Sequence, residues 1–290
     1  MSTPMRLLAW LVLAVLALSG CRGGDPVADP TPTPSRSKTP VATPTALPDP
    51  GPDARLGWRL EQRPVGDGRA YWVGVPTCDG STTCADWLER PRRLIVWLHG
   101  ARQVEDRANA SYLVSTLWKL TKGDSVIVFG MSAGDTRVWD ADICCTVGEV
   151  DEVGYLEDVI ADVAAAAPID PARVGLVGMS NGGMLATKAA CARPDLFKVV
   201  AVWAASWRGR CDRGPVTIGH WHGTADPVVP IDGGSSMILG RPVTFPPADW
   251  LKGRLAKGST FTYVPVEGAV HWPAPVAASL ELLTWFEERL

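Results

Sequence analysis

The chain is predicted to be an α/β protein, with a mainly parallel central sheet and helices on both faces. Three observations predict this. Short, wholly apolar runs alternate with segments whose apolar residues recur at helical spacing. Two Gly-x-Ser-x-Gly pentapeptides follow directly on such runs. Beyond the second of them a carboxylate and then a histidine each stand just past a later apolar run.

The first 21 residues read as an address. Arg6 supplies a positive start, and Leu7 to Leu18 is an apolar stretch of signal-peptide length, too short to span a bilayer. It ends in Leu18-Ser19-Gly20-Cys21, which resembles a bacterial lipobox with Cys21 as the lipidated residue. A plain signal peptide with an incidental cysteine is the alternative. Position 22 is Arg rather than Asp, so no inner-membrane retention cue is present. Residues 22–55 are a tether: nine of the 25 prolines lie between Pro26 and Pro52, among Thr, Ser, Ala and Asp. Such a composition buries no core. In polyproline geometry roughly 30 residues reach ~90 Å. The expected product is an exported, lipid-anchored envelope protein, or one released from the cell, touching the membrane through Cys21.

The folded domain is expected over residues 56–290, with 46% hydrophobic and 20% charged residues in the whole chain. Strands are predicted at Arg92–Leu98, Ser125–Gly130, Val174–Val177, Val199–Trp203, Val216–Trp221 and Phe261–Val266. Leu113, Leu117 and Leu120 mark a helix with Gly123 as its C-cap. Val153, Leu156, Ile160 and Val163 mark a second, Met184–Ala192 a third and Val276–Leu290 a closing one. Ile231 to Lys257 reads as a polar loop plus a short helix, with no long apolar lid. The net charge of −3 and the lack of a basic run argue against nucleic acid as a partner. Without Cys21 six cysteines remain, Cys78, Cys84, Cys144, Cys145, Cys191 and Cys211. In an oxidising compartment they allow up to three disulfides, with 15 connectivities left open. No CxxC or HxxxH spacing supports zinc, and no cofactor or metal is called for.

Acyl transfer by a serine needs an exposed nucleophile, a base, an acid to orient the base, and donors for the oxyanion. The candidates are Ser132 in Gly130-Met131-Ser132-Ala133-Gly134 and Ser180 in Gly178-Met179-Ser180-Asn181-Gly182. Only Ser180 stands between a strand and a helix pattern, as a nucleophile on a strand-to-helix turn must. Ser132 reads as a loop residue. The acid and then the base should follow Ser180 in the chain. Asp226 is the first carboxylate past the strand Val216–Trp221, ahead of Asp232 and Asp249. Four histidines exist, and His271 lies after the last strand, where the base belongs. His220 and His222, at a strand end, fit structural hydrogen bonds better. The oxyanion donors are then the backbone N–H groups of Asn181 and of Ala101, which follows His99-Gly100. This constellation is that of an α/β-hydrolase cleaving carboxylic esters. A histidine base must be neutral, so activity should rise with pH through the histidine range, ~6 to 7.

Gly178-Met179-Ser180-Asn181-Gly182-Gly183-Met184 resembles the GxSNGGM of polyhydroxybutyrate depolymerases and feruloyl-type esterases. His99-Gly100-Ala101-Arg102-Gln103 resembles their HGxxQ, and Trp139 with Cys144-Cys145 their tryptophan followed by paired cysteines. Asp170–Val174 resembles the run before their nucleophile strand. His222 to Asp226, with Val229-Pro230 and Gly233-Gly234, resembles their acid loop. The resemblance runs from about Tyr71 to the C-terminus. It implies a secreted esterase acting on polyesters or acylated plant polysaccharides. One departure is Gly268-Ala269-Val270-His271-Trp272-Pro273, where that family often shows GHxWP.

For the substrate, the expectation is a short acyl or hydroxyacyl ester, polymeric or not. Trp139, Trp221 and Trp272 follow strands or adjoin His271, so they either line the site and stack on rings or pack in the core. Two other functions compete. A peptidase like the prolyl oligopeptidases shares the fold and triad order but carries a propeller, for which no segment before Leu56 provides. A non-catalytic envelope-binding lipoprotein would show a lost triad member, and none is lost.

Overall fold

A computed structural model describes residues 58–66, 68–76, 90–145 and 149–290. The signal segment, Cys21, the tether, Cys78 and Cys84 lie outside the described residues. Among the described residues no helix is long and apolar enough to cross a membrane.

An eight-stranded sheet runs through the domain in the order β1-β2-β4-β3-β5-β6-β7-β10. Its strands are β1 (Trp58–Val65), β2 (Arg69–Pro76), β3 (Arg92–Leu98), β4 (Ser125–Gly130), β5 (Ile169–Met179), β6 (Val199–Trp203), β7 (Thr217–Gly223) and β10 (Thr260–Val266). β3 to β10 pair in parallel, whereas β1 with β2 and β2 with β4 are antiparallel. Helices α1 (Arg107–Leu120), α2 (Glu152–Ala166), α3 (Ser180–Ala192) and α4 (Val276–Glu287) cover it, and one apolar cluster fills each face. Because both faces are covered, β4 and β6 are buried at every position, which is why they read as unbroken apolar runs. This is the α/β-hydrolase fold that the alternation predicts.

Besides β5, which starts at Ile169 rather than Val174, four details differ from the sequence reading. The domain opens on the β1–β2 hairpin, where only a domain start near Leu56 is expected. Its Arg63 donates to Asp162 of α2 at 2.8 Å and Tyr71 does so at 2.5 Å, so a buried cation holds what a purely apolar strand would hold by packing. Second, α3 begins at Ser180 itself rather than Met184. Third, the C-cap of α1 is Thr121 rather than Gly123, in a Schellman turn that continues through Lys122 at φ 51° and Gly123 at φ 77°. The N–H of Lys122 donates to Lys119 and that of Gly123 to Trp118. Fourth, 231–257 holds a small antiparallel pair, β8 (Gly234–Ile238) and β9 (Arg241–Phe245), and no helix. Leu239 and Gly240 turn it with φ of 51° and 79°, the backbone of a two-residue hairpin loop.

The four described cysteines form two disulfides, Cys144–Cys145 and Cys191–Cys211. The second ties the end of α3 to the loop after β6.

Candidate active site

Chain order reverses direction at β3, whose neighbours are β4 on one side and β5 on the other. Loops leaving β3 and β5 therefore part, and a crevice opens beyond their carboxyl ends, the usual ligand position in such sheets. His99-Gly100 leaves β3 at that point and Ser180 leaves β5. Leu98 and Gly178 are paired in register, so the two exits are side by side. A Cβ built on Gly100 would stand 3.6 Å from that of Ser180.

Ser180 adopts φ 51°, rare for a residue with a side chain and typical of positions held under strain by their surroundings. The turn tolerates this because its flanks lack side chains. A Cβ on Gly182 would come within 2.2 Å of the Leu98 carbonyl oxygen, and one on Gly178 within 2.6 Å of that of Gly182. Glycine is required at both for close approach of backbone to backbone.

His271 Nε2 lies 2.9 Å from Ser180 Oγ, and His271 Nδ1 lies 2.7 Å from Asp226 Oδ2. The structure thus brings together three side chains that the sequence separates by 45 and 91 residues. The loops carrying them are bound to each other. The Thr224 N–H donates to Val266 and the Ala225 N–H to the Ala269 carbonyl; Gly268 N–H donates to Thr224 Oγ1. Trp203, at the end of β6, donates its indole N–H to the His271 carbonyl at 2.9 Å.

Asp226 Oδ1 accepts the N–H groups of Val228 and Val229 at 2.8 and 2.9 Å. Burial pushes its carboxyl up, but hydrogen bonds from His222 and His271, the His271 charge and the Val229 N–H outweigh it. Asp226 is held well below the usual carboxylate range. Its anionic form therefore stabilises the fold above about pH 4, the ordinary aspartate value, and that contribution is lost as pH falls below it.

Ser132 stands elsewhere. Its Oγ and N–H both donate to Glu105 Oε1 at 2.6 Å, and His99 Nε2 meets the same oxygen at 2.5 Å. Burial raises Glu105, while hydrogen bonds from His99 and Ser132 outweigh this and hold it low. With the carboxylate in the middle, the His99 imidazole does not reach the Ser132 hydroxyl directly. The cluster instead braces the loop 99–105, which is also tied by the Arg102 N–H to the Arg137 carbonyl at 2.7 Å.

Asn181 follows Ser180 and is the second residue of α3, where a backbone N–H has no partner within the helix. Its side chain points away from the crevice and pairs reciprocally with Trp139, accepting the Trp139 N–H at 2.7 Å and donating to its carbonyl at 3.0 Å. Ala101 lies in the turn beyond Gly100, which the Gln103 N–H closes onto the Gly100 carbonyl.

Of the three tryptophans considered for substrate, two are core residues. Trp139 is fully buried and donates its indole N–H to the His99 carbonyl; Trp221 is 1% exposed and packs edge-on against Trp285. Trp139 packs in one of the two apolar clusters and Trp221 in the other, so neither reaches the surface. Trp272, beside His271, is 46% exposed. Glu105, Trp203 and the contact of His222 with Asp226 are not foreseen from sequence, because each depends on partners that only the folded topology supplies.

Comparison with known proteins follows the same outline. Residues 153–208, from α2 through the Ser180 turn to just past β6, match the prolyl oligopeptidase family. Feruloyl esterase B of Piromyces equi is 31% identical over 117 residues, 38% of this chain and 22% of that protein. A probable feruloyl esterase C of Aspergillus terreus is 35% identical over 89 residues, 30% of this chain and 33% of that protein. The chain thus spans a third or less of the length of these curated relatives. Among solved structures, an S-formylglutathione hydrolase from Agrobacterium tumefaciens superposes with a TM-score of 0.54 at 15% identity, over 82% of this chain and 98% of that one. That likeness is one of fold.

Proposed function

We propose that the chain is an exported serine esterase that hydrolyses carboxylic esters through an acyl-enzyme. The observation that carries this reading is the unbroken hydrogen-bonded line from Ser180 through His271 to Asp226. Neutral His271 takes the Ser180 proton at Nε2 as Oγ attacks the ester carbon. Asp226 keeps the Nδ1 proton in place and stabilises the imidazolium that forms. The N–H groups of Ala101 and Asn181 are assigned to receive the developing oxyanion. The alcohol leaves with the proton from His271, and water repeats the sequence to release the acid.

The feruloyl esterase relatives and the absence of a bulky lid between β7 and β10 support small acyl or hydroxyacyl esters, including acylated polysaccharides and polyesters. Exposed Trp272 is the residue offered for stacking on an aryl or sugar ring. Hydrolysis of nitrophenyl esters from two to sixteen carbons, with methyl ferulate and a hydroxybutyrate oligomer, is expected to favour the short chains. An optimum at twelve carbons or more would refute this view of the cleft. The prolyl oligopeptidase match favours one second reading, amide cleavage by the same triad. Peptide nitroanilides in the same panel decide it, because a peptidase would turn them over faster than the esters.

Lipidation at Cys21 and the proline-rich tether would let the enzyme work at a distance from its membrane. Cys21→Ala is expected to move the protein from the detergent phase to the aqueous phase on partitioning. A wild-type protein found wholly in the aqueous phase would rule out the anchor.

A further inference from the structure

All four histidines of the chain stand at or beside this site, yet the chemistry above engages only His271 as a base. His220 and His222 are both buried and occupy alternate positions of β7, so they share one face of the sheet. Burying two imidazoles on a strand that apolar residues would fill costs free energy unless each ring nitrogen is used.

The nitrogens form a line that ends on the triad. His220 Nε2 lies 3.0 Å from His222 Nδ1. At the far side of the second ring, His222 Nε2 lies 2.8 Å from the Val229 carbonyl oxygen and 3.3 Å from Asp226 Oδ2. A carbonyl and an ionised carboxylate accept only, so His222 Nε2 carries a proton. Burial and the neighbouring His222 push His220 well below the usual histidine range, against a rise from the Ala248 backbone, so His220 is neutral. One hydrogen bond joins His220 Nε2 and His222 Nδ1, and His222 donates through Nε2 towards Asp226 and Val229.

We propose that His222, with His220 behind it, is a positioning residue that fixes the Asp226 carboxylate in the rotamer that meets His271. The two carboxylate oxygens have different holders. Oδ1 is bound by the Val228 and Val229 N–H groups, and Oδ2 by His271 with His222 beside it. His271 comes from a loop after β10, and its own protonation changes during the reaction. His222 comes from the sheet and supplies Oδ2 with a donor that takes no part in that change. Because the same Nε2 also reaches the Val229 carbonyl, one ring ties both ends of the turn 226–229. Loss of that ring frees the carboxylate to rotate, and misplacements of about 1 Å at a catalytic group can cost on the order of 10²-fold.

The inference rests on the Ser180–His271–Asp226 reading, and its test separates the two. Turnover of a short nitrophenyl ester is measured for wild type, Ser180→Ala, His222→Phe, His222→Gln and His220→Phe, with thermal melting for each. His222→Phe removes the donor, whereas glutamine keeps an N–H in reach of Asp226. The expected result is a fall in kcat of roughly 10- to 100-fold for His222→Phe at a KM within about twofold of wild type, and a His222→Gln variant within about fivefold of wild type. His220→Phe should lower kcat by several fold. A His222→Phe enzyme with wild-type kcat overturns the proposal, as does a His222→Gln variant that falls equally far. So does a loss carried by KM. If His222→Phe does not fold, unchanged kcat in His220→Phe, or a His222→Gln variant at least tenfold slower than wild type, overturns it. If instead Ser180→Ala retains activity, the triad reading itself has failed.

Discussion

Replacing Ser180 with alanine is expected to abolish ester hydrolysis, lowering kcat on the order of 10⁶-fold, as loss of the nucleophile does in other triads. The effect is this large because no other hydroxyl among the described residues is placed to substitute. Ser132, in the other pentapeptide, gives its Oγ to Glu105, and the nearest imidazole, His99, is bound to the same carboxylate oxygen. Ser132→Ala removes one hydrogen bond from Glu105 but keeps the backbone N–H at 2.6 Å, so turnover should stay within several fold of wild type. Steady-state kinetics with a short nitrophenyl ester, and labelling by a fluorophosphonate, test both variants. A folded Ser132→Ala protein that is dead, beside a Ser180→Ala protein that turns over, would reverse the assignment.

Asp226→Asn is expected to cost on the order of 10⁴-fold in kcat, by analogy with the same change in other triads. The carboxamide is nearly isosteric, so the turn 226–229 should survive. What changes is the proton pattern. An amide N–H in place of Oδ2 favours a proton on His271 Nε2, the atom that must accept from Ser180. Asp232→Asn, at the other carboxylate weighed from sequence, should leave kcat near wild type. A dead Asp232→Asn enzyme with an active Asp226→Asn would show that the wrong carboxylate is assigned. The same substitution removes the acid sensitivity tied to Asp226. Between about pH 4 and lower pH the Asn variant should lose less stability than wild type, because the wild-type contribution is present above the ordinary aspartate value and vanishes beneath it.

What was legible in the sequence follows from what is local. β3, β4 and β6 run over the residues their apolar stretches mark, since complete burial on both faces needs no partner to be known. Ser180, Asp226 and His271 could be brought forward because chain order and strand ends constrain them. The missed hairpin β1–β2 had a signal, Gly66-Asp67-Gly68 between two segments rich in β-forming residues. Its pattern was obscured by Arg63, a cation facing inward onto Asp162 from 99 residues away. β8–β9 reads from sequence as a polar loop plus a short helix because the segment 231–257 carries Gly, Pro and charges, and its turn holds Leu239 where glycine or asparagine is usual. The tryptophans show a further limit. Trp139 and Trp221 end up buried in the core because each has an aromatic or backbone partner there, His99 for one and Trp285 for the other. Sequence position alone does not say which side of a strand end a ring will take.

The placement of the histidines has a practical consequence. Imidazole N–H protons held in strong hydrogen bonds resonate downfield of most protein signals in a nuclear magnetic resonance spectrum, and this chain has only four such rings. One braces the loop before the nucleophile turn, two form the line behind Asp226, and one faces Ser180. The imidazole N–H signals of the intact protein therefore report on this one region, with no histidine elsewhere in the chain to add to them.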